Sequence, residues 1–163
     1  VPEPNSEIWA YVHSGKGLKE HLPNLRYVLQ QGVGAVDGST AKRRDEIYCQ
    51  VLKNTIENPS EAHSARAWTL LSFCACSFPP SPVLARYLQS YLDANTKVII
   101  TMIPNQQLVL CFDLSFFFSL QKQQGEYVAS ATYILNSLKR MGMTGARKFV
   151  PSWMELEAIE VPT

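Results

Sequence analysis

Apolar residues recur along most of this chain every three to four residues, the spacing that places side chains on one face of an α-helix. Proline, glycine and small polar residues stand between the apolar runs, where they mark the ends of helices. The stretch 32–42 is glycine-containing and polar, which predicts a loop. The pattern as a whole predicts helices over residues 23–32, 45–58, 60–78, 81–92, 127–141 and 152–159.

Capping residues support several of these boundaries. Ser60 and Ser81 each stand directly before an apolar run, as N-cap residues do, and Ser81 is followed by a proline suited to the first helical position. Ser152 and Glu155 have the spacing of a capping box, in which each side chain bonds the other residue's backbone. These signals place helix starts at 60, 81 and 152.

The predicted fold class is all-α, a compact helical bundle, because amphipathic helices joined by short connections bury their apolar faces against one another. At 163 residues and 46% hydrophobic content, the chain is long enough for one domain and too short for two. Trp68 is expected in the core, and Cys74 and Cys76 are expected to pack there as free thiols. Free thiols, with no signal sequence in residues 1–30, indicate a reducing intracellular compartment.

The segment 98–121 departs from the helical pattern. Fifteen of its 24 residues are apolar and its only charged residue is Asp113. The polar run 104–107 divides it into pieces shorter than the roughly 18 apolar residues of a membrane span. One interpretation is a β-hairpin formed by residues 98–103 and 108–112 around a Pro-Asn turn.

A second interpretation of the same segment comes from its codons. Valine after Lys97 is compatible with an intron donor, and the phenylalanine-rich end before Lys122 is compatible with a pyrimidine tract and acceptor. Removing 98–121 joins the two lysines directly. The segment is therefore either a retained intron or a genuine loop insertion, and comparison of transcript with genomic sequence separates the two.

Few features of the sequence indicate a catalytic function. The three histidines, His13, His21 and His63, have no metal-protease spacing, and there is no nucleophile-elbow motif. The run 15–17 lacks the preceding strand and the upstream glycine that a phosphate-binding loop requires. Cys74 and Cys76 are two residues apart on a helix, so they point to different sides. We expect no catalytic, cofactor or metal site.

A basic cluster is the feature of the sequence that indicates a binding function. Lys139, Arg140, Arg147 and Lys148 fall within ten residues, and residues 127–154 contain no acid. The first two are predicted in the last turn of a helix, where they also complement its dipole. The whole chain has 15 basic and 14 acidic residues, so no global field favours nucleic acid or acidic lipid. A charged interface must be local, and these four residues are the predicted partner-binding site.

Other charged residues are expected to have structural roles. Asp45 and Glu46 suit a helix N-terminus, where carboxylates interact favourably with the dipole. Arg44 and Arg66 are expected to pair with such acids and to hold neighbouring helices in register. Trp153 is expected to pack the C-terminal segment back onto the bundle.

Three blocks in register resemble the MyTH4 family: 44–50 (RDEIYCQ), 65–71 (ARAWTLL) continuing through 78–81 (FPPS), and 147–149 (RKF) continuing through 151–159 (PSWMELEAI). The Asn58-Pro59 pair between them also matches. The motif residues are Arg44, Asp45, Glu46, Tyr48, Gln50, Arg66, Trp68, Pro79, Pro80, Trp153 and Glu155.

The resemblance implies a partial MyTH4 domain over 25–159, interrupted at 98–121. Family members have further N-terminal helices that are not recognisable here, so residues 1–24 remain unassigned. An incomplete bundle would expose apolar surface that the missing helices normally cover.

By the same resemblance, the chain is a non-catalytic binding module of an unconventional myosin tail, cytoplasmic and associated with the cytoskeleton. Its expected partners are microtubules (tubulin) or acidic cargo segments, bound through basic surfaces beside a neighbouring FERM domain. The resemblance implies no cofactor, no nucleic acid and no membrane span. Two alternatives stay open: a MyTH4 domain of a Rho GTPase-activating or pleckstrin-homology signalling adaptor, and a purely structural tail spacer.

Overall fold

The structure, a computed structural model, describes residues 4–34, 37–56, 58–96 and 114–160, with side chains in the last range from Tyr127 onward. The described residues form helices joined by turns and contain no strand, so the predicted all-α bundle is confirmed. In chain order the helices are α1 (Pro4–His13), α2 (Leu18–Gln30), α3 (Gly38–Lys53), α4 (Glu61–Ser77), α5 (Pro82–Thr96), α6 (Leu114–Thr144) and α7 (Trp153–Ile159).

Helix α4 is the centre of the bundle. Twelve of its 17 residues are buried, and it packs against α1, α2, α3, α6 and α7. A helix that is buried on most of its circumference must be apolar or small all round, as this one is. Trp68, Cys74 and Cys76 are buried within it, so the prediction that they belong to the core is confirmed.

The predicted caps are confirmed at three helix starts. The hydroxyl of Ser60 accepts a hydrogen bond from the backbone N–H of His63 at 3.3 Å, and that of Ser81 accepts one from Leu84 at 3.3 Å. Ser152 begins α7 with the full reciprocal capping box. Local side-chain chemistry therefore sets these boundaries, since each cap satisfies an N–H that has no partner within its helix.

Three predicted helix starts are wrong. Helix α6 begins at Leu114, ahead of the predicted start at 127. Helix α2 begins at Leu18, so Pro23 lies inside it and is not its entry. Helix α3 begins at Gly38, because the carboxylate of Asp37 accepts a hydrogen bond from the backbone N–H of Thr40 at 2.7 Å and caps the helix. The predicted loop over 32–42 therefore ends at Asp37, and Asp45 lies well inside α3.

Other predicted details also differ from the structure. Helix α3 ends at Lys53, ahead of the predicted stop at 58. On α5, Leu88 and Leu92 are buried, but Val83 and Tyr87, which share the same apolar spacing, are 60% and 73% exposed. The apolar stripe of α5 is therefore narrower than the sequence pattern suggests.

The N-terminal residues that the sequence leaves unassigned contribute to the core. Ile8, Tyr11 and Val12 of α1 are buried and belong to the same apolar cluster as Trp68 and Leu156. Helix α1 packs against α2, α3 and α4. The first described helix is thus part of the bundle.

Most of the anomalous segment lies outside the described residues. Residues 98–113 are not described, so the predicted hairpin, Cys111 and Asp113 fall outside the described residues. Residues 114–121 form the first two turns of α6. On either side of the segment, Tyr91 of α5 and Tyr127 of α6 both stack on Trp68, with ring centroids 5.7 Å and 5.3 Å from the indole. Tyr91 and Tyr127, which lie on either side of the segment, therefore both pack on Trp68 of α4.

Candidate protein-binding site

The basic cluster lies at the C-terminal end of α6 and in the connection to α7. Lys139 and Arg140 are exposed, but α6 continues to Thr144, so they precede its last turn and that turn contains no basic residue. Gly145 follows at φ +77°, a backbone conformation that glycine adopts readily. Lys148 is exposed beyond it, next to Phe149, whose side chain is 80% exposed.

Arg147 differs from its three basic neighbours because its guanidinium holds the fold together. Its Nε donates to the carbonyl of Cys76 at 2.7 Å, near the C-terminus of α4, and its Nη1 donates to Glu155 at 2.8 Å. Its backbone N–H donates to the carbonyl of Ser77, and its carbonyl accepts from Gly34. Arg147 thus joins α4, α7 and the loop after α2.

Glu155 is the acidic counterpart of that arrangement. Its side chain accepts from Arg147 and from the backbone N–H of Ser152 at 2.8 Å, completing the capping box of α7. These bonds, that of Arg147 foremost, lower the pKa of Glu155 to about 2. The carboxylate is charged at neutral pH and is already engaged by Arg147.

A groove opens beside this connection, and we call it the basic groove. Its volume is about 610 Å³ and its walls combine cations with apolar side chains. Lys19 of α2 lies over the ring of Trp153 at 5.8 Å, so a further positive charge stands at its edge. The lining residues are Arg26, Arg147, Lys148, Phe149, Val150, Ser152, Trp153 and Glu155.

The structure brings together only part of the predicted cluster. Arg147 and Lys148 line the basic groove, and Arg140 and Arg147 both lie within electrostatic reach of Tyr133. Lys139 is exposed on α6 without a described contact to the other three. Arg26 is the lining cation that the sequence does not reveal, because its approach to residues 147–155 depends on tertiary packing.

Arg44, the first residue of the family motif, is buried, and the described residues include no acidic partner for it, so the expected ion pair is wrong for this residue. Its Nε donates to the carbonyl of Gly32 at 2.7 Å and its Nη2 to that of Gly34 at 3.2 Å. A Cβ on Gly32 would overlap the ring of Phe78, so this loop passes the ring as only glycine allows. Arg44 holds the loop in that position.

Two neighbours of Arg44 join α3 to the segment between α4 and α5. Asp45 accepts a hydrogen bond from the backbone N–H of Ser81 at 2.7 Å, so it supports the start of α5 and not that of its own helix. Tyr48 is fully buried and donates its hydroxyl hydrogen to the carbonyl of Phe78 at 2.8 Å. These bonds fix the position of the Pro79-Pro80 segment, in which Pro80 is buried and Pro79 half-buried.

The remaining motif residues are divided between surface and core. Gln50 donates to Glu46 at 2.6 Å on the exposed side of α3. Arg66 is half-buried near Tyr11 and His21, and the ion pairs among the described residues do not include it. Trp153 packs against the apolar core, as the sequence suggests.

Comparison with known proteins places this arrangement in a family. The family model of the MyTH4 domain matches residues 37–158, which is more than half of the chain. The chain belongs to the MyTH4 family. The myosin-I heavy chain of Dictyostelium discoideum is 30% identical over 160 residues, which is 95% of this chain and 6% of that protein. The MyTH4 domain described here therefore spans a small fraction of its myosin relative.

Solved structures extend the match to α1 and α2, which precede the region matched by the family model. The MyTH4-FERM MF1 domain of Dictyostelium discoideum myosin VII matches with a TM-score of 0.69 and 28% identity, over 96% of this chain and 27% of that one. The C-terminal MyTH4-FERM domain of human myosin 7b, in complex with the harmonin-a PDZ3 domain, matches with a TM-score of 0.61 and 21% identity. The second match supports the fold alone.

A MyTH4 domain of the kind found in unconventional myosin tails is a non-catalytic binding domain, and this chain is not an enzyme. Within the described ranges, no three histidine, cysteine or acidic side chains are placed to hold a metal ion. The described helices also include none with the length and apolar character needed to cross a membrane.

Proposed function

We propose that this MyTH4 domain binds an acidic protein segment through the exposed cations Lys139, Arg140 and Lys148, with Arg26 contributing from the facing wall of the basic groove. The observation that carries the proposal is that these cations are exposed while Arg147 is committed to the fold. The two ion pairs among the described residues, Lys16–Glu20 and Arg147–Glu155, leave Lys139, Arg140 and Lys148 unneutralised. Arg147 acts here as the residue that positions Lys148.

The proposed setting is the tail of an unconventional myosin in the cytoplasm, in association with the cytoskeleton. The MyTH4-FERM structures that match this chain support a FERM domain as its neighbour in the full-length protein. Microtubules, whose tubulin surface is acidic, and acidic cargo segments are the two partners considered. The motor ATPase belongs to another part of such a protein.

The test is co-sedimentation of the domain with microtubules at low and high salt. Reversal of one exposed cation should change Kd no more than about fivefold, since exposed pairs contribute about 0.2–1 kcal/mol each. The combined reversal Lys139→Glu, Arg140→Glu and Lys148→Glu should weaken binding more than about tenfold at low salt. Added salt should weaken the wild type, because exposed charges are screened over about 10 Å at 0.1 M.

The matched control reverses three exposed cations elsewhere: Lys42→Glu, Lys53→Glu and Arg86→Glu. It changes the net charge by the same amount and should retain most of the binding. If wild type and both triple variants pellet equally at both ionic strengths, microtubule binding is rejected. A binding assay with an acidic cargo peptide then distinguishes cargo recognition from a tail spacer that binds neither.

A separate variant, Arg26→Glu, tests the basic groove itself. Arg26 is exposed and has no described hydrogen bond, so its reversal should leave stability within about 0.5 kcal/mol of wild type. Weaker binding by this variant places the partner in the groove. Unchanged binding restricts the contact to the end of α6 and Lys148.

A further inference from the structure

All three histidines of the chain lie near the C-terminal end of α1, where that helix contacts α2 and α4. His13 is the last residue of α1, His21 the fourth of α2 and His63 the third of α4. The rings of His13 and His63 lie 4.6 Å apart, centroid to centroid. The Nε2 of His21 is hydrogen-bonded to the hydroxyl of Ser14, directly after α1. We call this group the histidine corner.

The rings of His13 and His21 make further contacts within the corner. His13 donates from Nδ1 to the carbonyl of Trp9 at 3.0 Å and stacks on the indole of Trp9 at 4.6 Å. His21 is 7% exposed and meets the ring of Tyr11 edge-on. If His13 and His63 were both protonated, two positive charges would face each other across the contact between α1 and α4.

Positive charges already surround the corner. Lys16 and Arg66 lie within electrostatic reach of His21, opposed by the smaller effects of Glu20 and Glu7, and burial together with these cations lowers the pKa of His21. His21 and His63 also lie in the first turns of α2 and α4, where the helix dipole disfavours a cation.

The other elements near α1 contribute little compensating charge. On α3, Arg44 bonds the loop at 32–34, Asp45 bonds Ser81, and Glu46 bonds Gln50. Glu160, beyond α7, lies within electrostatic reach of Tyr11, and burial raises the pKa of its carboxyl. Glu61, at the start of α4, is exposed.

We propose that the histidine corner is a pH-sensitive joint: α1 is docked on α2 through Ser14 and Tyr11 around the buried neutral ring of His21, and protonation of that ring favours release of α1. Helix α1 carries Ile8, Tyr11 and Val12 into the core, so its release exposes apolar surface of α4. The joint lies on α1, α2 and α4, away from Lys139, Arg140 and Lys148, and it does not depend on the proposed partner. Mild acid would raise the fraction of molecules in which α1 alone is released.

The direction of the pH effect on α1 docking follows from the lowered pKa of His21. Its pKa in the folded state is below the unfolded value of about 6.5, so its contribution to stability is complete above that pH. The contribution is lost as the pH falls below about 6.5, because the released state then binds a proton that the docked state resists. Acidification from pH 7.5 to 5.5 should therefore favour release.

Hydrogen–deuterium exchange of the 163-residue chain tests the joint, with rates corrected for the intrinsic effect of pH. Amides of α1 should exchange faster at pH 5.5 than at pH 7.5, by at most about tenfold, because one proton bound only by the released state contributes up to a factor of ten per pH unit below about 6.5. Amides in the second half of α6 serve as the internal reference and should not change. In the variant His21→Gln with His63→Phe, which keeps a polar side chain and a ring but cannot titrate, α1 should exchange equally at both pH values.

A second variant keeps all three histidines and changes only a neighbouring charge. Arg66→Glu stabilises protonated rings in the docked state, so the midpoint of α1 release should move to lower pH. The proposal is overturned if wild-type α1 shows no pH dependence, if the dependence persists in the double variant, or if Arg66→Glu leaves the midpoint unchanged. Failure of the double variant to fold leaves the Arg66→Glu measurement decisive.

Discussion

Two sets of cations in this domain have opposite roles. Arg44 and Arg147 direct their guanidinium groups at backbone carbonyls, whereas Lys139, Arg140 and Lys148 face solvent. The two arginines come from different motif blocks, yet both reach one loop: Arg44 donates to the carbonyl of Gly34, and Gly34 donates its N–H to the carbonyl of Arg147. A run of basic residues in the sequence therefore does not equal a patch of free charge on the surface.

The largest expected effect comes from Arg44. Replacing it with alanine leaves the carbonyls of Gly32 and Gly34 without their donors and opens a gap beside Phe78. Hydrogen bonds from charged donors contribute about 1.5–3 kcal/mol each, so we expect the free energy of unfolding to fall by about 3–5 kcal/mol. Urea denaturation measures it. Arg43→Ala, one residue away and exposed, should change stability by less than about 1 kcal/mol; equal losses would show that Arg44 has no special role.

Arg147 should show an intermediate effect with a pH signature. Arg147→Ala removes the bonds to Cys76 and Glu155, and we expect a loss of about 1.5–3 kcal/mol in unfolding free energy. The pKa of Glu155 is lowered to about 2 in the fold, so its contribution is present above about pH 4.5 and is lost as the pH falls toward 2. The acid-induced loss of stability should be smaller in the variant; an identical pH profile would contradict the pairing.

The smallest effect on stability is expected from the exposed cations. Lys139→Ala, Arg140→Ala and Lys148→Ala should each stay within about 0.5 kcal/mol of wild type in urea denaturation, because these side chains make no described hydrogen bond. A variant that keeps its stability and binds more weakly would show that its residue, unlike Arg147, serves binding and not folding. A fall of more than about 1.5 kcal/mol in the unfolding free energy of any of these variants would show that its residue stabilises the fold, as Arg44 and Arg147 do.

The sequence predicts those parts of the fold that depend on neighbouring residues. Ser60, Ser81 and Ser152 cap helices through bonds that reach three residues along the chain, so the local pattern contains the information. Asp37 does the same for α3, and its bond to Thr40 could have been predicted from the run Asp-Gly-Ser-Thr. The polar composition around it indicated a loop instead.

The roles of the charged residues depend on distant partners, and the sequence does not show them. Arg147 meets Cys76 across 71 positions, and Asp45 meets Ser81 across 36. No local pattern distinguishes an arginine that bonds a carbonyl from one that faces water, so the predicted four-residue site mixes both kinds. Arg26 was missed for the same reason.

The stacking of Tyr91 and Tyr127 on one indole has a consequence for how this domain tolerates changes of length. Trp68 holds Tyr91 and Tyr127 together, so residues added or lost in the connection between α5 and α6 change mainly the closure entropy of that connection. This entropy grows only with the logarithm of loop length, about 0.6 kcal/mol for each doubling. A messenger RNA that encodes a longer or a shorter connection can therefore yield the same bundle, which makes this junction permissive for alternative splicing and for the insertion of a reporter or epitope.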